Sequence, residues 1–215
     1  FILGKKLEMT QVFNDKGDAV PVTLVEAGPC FVLQIKTKDS PASAEASAGK
    51  KDGYESIQIG FEKKAKHVKK TEKGKEYRYL KEFRVDELGI KNYELGQEIN
   101  ISAFKEGDKV KVSGISKGKG FQGGVKRYNF RGHHQTHGTK HEIRTIGSVG
   151  ATDPGRVFPG KRMPGHMGVE RISVRNLRIV KIDLENNLIA VKGAIPGHRG
   201  TLVEITSSPV KSKKK

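Results

Sequence analysis

A chain of 215 residues with one cysteine and no tryptophan carries 41 Lys/Arg against 24 Asp/Glu, a formal net charge of +17. That balance points to a polyanion, nucleic acid before membrane, because no run approaches the roughly 18 apolar residues of a spanning helix. A lone Cys30 excludes an internal disulfide framework and fits a reducing cytosol, and the opening F-I-L-G-K-K has no signal-peptide pattern.

In chain order, residues 9–13 and 19–27 read as β-strands joined by N-D-K-G, which supplies Asn and Gly where a tight turn wants positive φ. Residues 30–37 read as a third strand, with apolar-polar alternation from Leu33 to Lys36. Residues 40–53, rich in Ala, Ser and Gly, have no period and read as a surface loop. Strand character returns at 54–61, where Ile57, Ile59 and Phe61 share a face. The Lys- and Glu-dense run 62–82 reads as an exposed, partly helical insertion reaching to about residue 96, its charges a solvated face. A strand pair is expected around 97–101 and 108–112.

Order resumes beyond residue 178. Val180, Ile182 and Leu184 alternate with Lys181 and Asp183, residues 185–187 make a turn, and 188–192 returns as the hairpin partner. Ile195-Pro196-Gly197 breaks the strand, residues 201–206 form a last one, and 210–215 is a basic tail. Short strands with frequent turn signals predict a mainly β fold. It is expected to be a closed or nearly closed barrel, built from residues 1–112 and 179–209.

The segment between those halves is of another kind. Residues 113–178 hold 13 of the 41 Lys/Arg but 3 of the 24 Asp/Glu, and so contribute +10 of the net +17. They also hold 13 of the 26 glycines and 5 of the 7 histidines. With few apolar residues and no period of 2 or 3.6, the segment has no means to fold around a core of its own. It reads as an extension that orders against a polyanion.

Enzymatic readings fail on spacing. Gly118–Gly123 matches G-x-G-x-x-G, but V-K-R-Y-N-F-R-G follows where a dinucleotide site needs an apolar helix, and the nearest acid after it is Glu142. From Gly114, the phosphate-loop spacing is one residue short and Gly120 stands where Ser or Thr would bind magnesium. His133, His134, His137 and His141 have metal-like spacing, but Gly132 and Gly138 interrupt any helix that would align them. The favoured role is imidazoles against bases, phosphates and 2′-hydroxyls. Cys30 sits in an apolar strand with no histidine nearby, and no acid-base set is present, so neither catalysis, a cofactor, a metal nor a small-molecule substrate is expected.

RNA binding has positive support. Lys117, Lys119, Lys126, Arg127, Arg131, Lys140, Arg144, Arg156, Lys161, Arg162 and Arg171 are spread along the extension, with His166, and are interleaved with Phe121, Tyr128, Phe130 and Phe158. Cations neutralise phosphates, while guanidinium planes and rings stack on unpaired bases.

The run G-I-S-K-G-K-G-F-Q-G-G-V-K-R, then T-H-G, G-S-V-G and P-G-R-V-F-P-G-K-R-M-P-G-H-M-G, closely resembles the universal ribosomal protein L three family in its bacterial length. The opening G-K-K-L-E-M-T-Q-V-F and the late L-I-A-V-K-G-A-I-P-G extend the resemblance over nearly the whole chain. Glu8, Lys111 and Ala151 depart from the family pattern; the last stands where some bacterial members carry a methylated glutamine.

The resemblance implies a translation-type β-barrel and an extension threading large-subunit RNA in the cytoplasmic ribosome, with neighbouring large-subunit proteins as further partners. It also implies binding near the 3′ end of that RNA early in assembly. The extension tip (Gly147, Ser148, Val149, Gly150, Ala151, Thr152, Asp153 and Pro154) would then point towards the peptidyl-transferase centre.

Overall fold

The computed structural model describes residues 1–14, 16–36, 53–66, 68–70, 74–85 and 93–207. The chain is mainly β, as its alternation predicts, with twelve strands among the described residues. Six of them hydrogen-bond in a closed barrel: β1 (Ile2–Phe13), β12 (Leu202–Ser207), β7 (Lys109–Ile115), β10 (Arg171–Asp183), β11 (Leu188–Lys192) and β2 (Ala19–Ala27), which returns to β1. Closure leaves these strands no free edge. The hairpin of β10 and β11 has the expected register, with Ile182 opposite Ile189 and Asp183 opposite Leu188.

The barrel interior is filled by alternate residues of each strand. Ile2, Val25, Val110, Val112, Ile179, Ile189, Val191, Val203 and Ile205 are fully buried. β-Branched side chains suit such positions because their restricted rotamers fit the pleat. Lys6 and Glu204 are the buried charged residues among those described; the Lys6 ammonium donates to the carbonyls of Ile195 and Gly197, each at 2.9 Å, which pins the I-P-G segment onto β1. Such pairing is what makes burial of an ammonium tolerable. Glu8, at the register shift between Lys6 and Met9, forms an ion pair with Arg199 at 3.5 Å.

Several expectations need correction. The described strands between Cys30 and Ile99 do not join the barrel. β3 (Cys30–Lys36), β4 (Ser56–Lys63), β5 (Tyr77–Arg84) and β6 (Glu98–Ile99) form a second antiparallel sheet in the order β5-β4-β3-β6. Its Cys30, Val32, Ile57, Ile59 and Phe61 share one apolar cluster with the barrel, and Lys81 of β5 meets Glu204 of β12 at 3.4 Å.

The expected strand pair around 97–101 and 108–112 is also two separate strands. β6 pairs with β3, β7 pairs with β12, and a 3-10 turn at Ile101–Ala103 lies between them.

Nor is there any α-helix among the described residues of 62–96. The Lys/Glu density suggests helix, but Tyr77, Tyr79, Lys81 and Phe83 turn inward while Arg78, Leu80, Glu82 and Arg84 turn out. That period of 2, with Tyr79 opposite Phe61, lets β4 override local propensity. The surface loop expected at 40–53 lies, apart from Gly53, outside the described residues, as do the tail 210–215 and parts of 62–96.

The chain divides into two compact units, residues 1–114 with 172–215, and residues 115–171. Residues 172–178, expected in the extension, therefore belong with the barrel as the body of β10, where Ser173 and Ser113 share a 2.7 Å hydroxyl contact.

Candidate nucleic-acid interface

Residues 115–171 leave and return as two arms zipped by backbone hydrogen bonds. The Ser116 N–H donates to Glu170 O at 2.9 Å, and the Lys119 N–H to Met167 O at 2.9 Å. Between them the chains approach so closely at Gly168, φ +85°, that a Cβ there would overlap the Lys117 carbonyl oxygen. Only glycine accepts both that φ and that approach. β8 (Gly120–Gln122) then pairs with β9 (Gly165–Met167), setting Phe121 across from His166. The G-x-G-x-x-G run thus leads into a strand pair and a helix: Gly120 opens β8 and Gly123 caps the helix that follows.

A five-residue helix follows, α1 (Gly124–Tyr128), ended by Asn129 in the left-handed region at φ 58°. Its two consecutive cations diverge. Lys126 is exposed. Arg127 turns inward, donates from Nη1 to Met163 O at 2.9 Å, and lies 4.9 Å from the Tyr128 ring. Arg162 lies near the same ring at 5.7 Å, and Tyr128 and Phe130 are in tilted contact at 6.1 Å. Arg127 therefore joins the outgoing helix to the returning arm.

The histidine loop is closed at its base, where His133 N–H donates to Ile143 O at 3.0 Å. His133, His134, His137 and His141 are exposed around it, and among the described residues no group of three or more His, Cys, Asp or Glu is placed to hold a metal ion. At the expected tip, Gly147, Ser148, Val149, Gly150, Ala151, Thr152 and Asp153 are exposed and Pro154 is half-buried. The Ser148 hydroxyl donates to Gly150 O at 2.8 Å.

The remaining cations, Lys117, Lys119, Arg131, Lys140, Arg144, Arg156, Lys161 and Arg171, are exposed, as is His166, whose Nε2 lies 3.1 Å from Gly168 O. Of the aromatics, Phe121 is 76% and Phe158 57% exposed, with Arg156 5.9 Å from the Phe158 ring. These two rings are the most exposed for stacking, whereas Tyr128 and Phe130 are half-buried and in contact with each other.

Across residues 115–171 the one buried residue is Gly124, set against Ile146 and Phe130. The unit has no apolar core, and its shape rests on arm-to-arm hydrogen bonds and the Arg127 contact. Sequence reasoning missed the partner that holds Arg127, the Met163 carbonyl, and the room that Gly165, lacking a Cβ, leaves for the guanidinium. A backbone carbonyl leaves no mark in a sequence.

The ribosomal protein L3 family model matches residues 59–185. The large ribosomal subunit protein uL3 of Carboxydothermus hydrogenoformans is 47% identical over 220 residues, covering 99% of this chain and 98% of its own length. That of Thermosipho africanus is 48% identical over 215 residues, 96% and 97% of the two chains. The Dehalococcoides mccartyi protein is 46% identical over 210 residues, 95% and 96%.

The chain belongs to the ribosomal protein L3 family. L3 proteins are structural ribosomal proteins and not enzymes, which accords with the failed catalytic spacings. The L3 match spans the whole of residues 115–171, the unit without a core.

Proposed function

We propose that this chain is a structural constituent of the large ribosomal subunit, resident in the ribosome and thus in the bacterial cytoplasm. It binds large-subunit rRNA directly near the 3′ end, nucleates subunit assembly, and sends residues 147–154 towards the peptidyl-transferase centre. The barrel is of the translation type, and neighbouring large-subunit proteins meet its surface.

One observation carries this reading: residues 115–171 hold many exposed cations and two exposed aromatic faces but a single buried residue. A segment so built gains little from its own folding and much from phosphate neutralisation and stacking. Lys117, Lys119, Lys126, Arg131, Lys140, Arg144, Arg156, Lys161, Arg162 and Arg171 supply charge between closely packed RNA helices. Phe121 and Phe158 take unpaired bases, and the exposed histidines bond phosphates and 2′-hydroxyls.

The test is binding to a 3′-domain fragment of large-subunit rRNA across a salt titration, with an unrelated structured RNA as competitor. Binding that survives the competitor is expected, with a log K versus log salt slope of roughly −0.7 to −0.9 per phosphate neutralised. Changing Lys117, Lys119 and Lys126 together to Ala should make that slope shallower by about 2 to 3 and stall large-subunit assembly. Equal affinity for both RNAs would overturn the reading.

A further inference from the structure

We propose that the barrel carries a second RNA-backbone site, in a cleft between the tip of the β1–β2 hairpin and β10. The cleft has a volume of about 740 Å³ and is bordered by Lys16, Arg178, Lys181 and Lys192, with Phe13 at its lip. This site lies entirely within the barrel unit and uses none of the residues assigned to RNA above.

Its floor is apolar. Val20 and Ile179 are buried, and Val12 and Val180 pack on the small cluster that Val20 forms with Val22 and Ala190. All four cations are exposed, and none has an ion pair or side-chain hydrogen bond with another described residue. Among the described lining residues the one carboxylate is Glu106, whose Oε1 accepts the Ile182 N–H at 3.2 Å. The Gly107 N–H beside Arg178 is likewise satisfied, by Ile179 O at 2.9 Å. Four cations outnumber the described carboxylates near them, Glu106 in the lining and Asp183 beside Lys181, and leave a net positive cleft suited to an anion.

The chemistry favours a phosphodiester strand over an acidic peptide. Three of the four cations are lysines, ammonium point charges that meet phosphates at varied angles, and a chain of net charge +17 is matched to a polyanion. Phe13 is 65% exposed at the lip of a polar-rimmed cleft, where its ring takes a base or ribose.

The proposal rests on the rRNA-binding reading, and its test separates the two. The wild-type protein, Lys16→Ala/Lys181→Ala/Lys192→Ala, and the charge-preserving triple Lys→Arg variant are titrated with the same 3′-domain rRNA fragment over a salt series. Circular dichroism confirms that each is folded.

The Ala triple is expected to bind roughly tenfold more weakly near physiological salt, with a slope shallower by about 2 to 3, and the Arg triple to retain binding. Phe13→Ala should weaken binding without changing the slope. Unchanged affinity and slope in the Ala triple overturn the cleft proposal while leaving the rRNA reading intact. If that variant binds RNA normally yet fails to enter subunits, an acidic protein neighbour occupies the cleft instead. If the wild-type protein does not prefer the rRNA fragment, the broader reading fails and the cleft proposal falls with it.

Discussion

The barrel unit and residues 115–171 are held by different forces. In the barrel, residues such as Ile2, Val112, Ile189 and Ile205 are fully buried, and each contributes stability through the apolar area it removes from water. In residues 115–171 the single buried residue is a glycine, and the geometry comes from backbone bonds across two arms and from one inward-turned arginine. The contrast shows how one chain combines a self-sufficient fold with a segment whose remaining interactions are left for a partner. High charge and low burial belong together, because cations committed to a core are lost to phosphate.

The sharpest way to break this contrast is core truncation. Ile205→Ala in β12 should destabilise the protein by roughly 2–5 kcal/mol, read as a large fall in the denaturation midpoint. Phe158→Ala should stay within about 0.5 kcal/mol of wild type. Equal losses would mean that residues 115–171 share in a common core.

Gly168→Ala comes next. Its Cβ would meet the Lys117 carbonyl at a φ of +85°, a strain on the order of 1–3 kcal/mol. Hydrogen exchange should quicken at the Lys119 amide and across β8 and β9, with barrel amides unchanged.

Arg127 and Lys126 form a finer pair, adjacent in sequence and opposite in role. Arg127→Ala should raise exchange around residues 163–167, because the bond to Met163 O is lost. Lys126→Ala should leave exchange alone and reduce the RNA salt slope by about 0.7–0.9. Matching behaviour of the two variants would refute the division of labour.

The smallest effect concerns Cys30. Burial, offset only in part by the contact with Leu3 O, pushes its thiol from 9.0 up to about 11. The unfolded chain therefore releases this proton more readily than the native one. The contribution is intact below pH 9.0 and declines as pH rises from 9.0 towards 11. Alkylation by iodoacetamide at pH 8 should be slow until denaturant is added.

Much of this was legible in the sequence because it depends on local pattern. Alternation at 180–183 and 188–192 marked a hairpin that the register bears out, and the crowding of cations and glycines marked where the apolar core would stop. The L3-like motifs were continuous runs and needed no fold to be read. Three features were not local. Residues 77–84 look helical by their Lys and Glu content, and only the facing strand β4 makes their period of 2 decisive. The sheet of β3 to β6 separates from the barrel through hydrogen bonds between residues far apart in sequence. The roles of Arg127 and Lys126 divide because one guanidinium reaches a carbonyl 36 residues away.

The amino-acid sequence by itself determined that this is a mainly β, strongly basic protein of the L3 family with a core-less central segment, since charge, composition and period are properties of the chain alone. Tertiary structure decided which strands close the barrel, which cations are spent on the protein's own backbone, and that Lys16 meets Lys181 and Lys192 around one cleft. Those outcomes depend on which backbone groups and side chains distant segments bring together, and no local pattern encodes that.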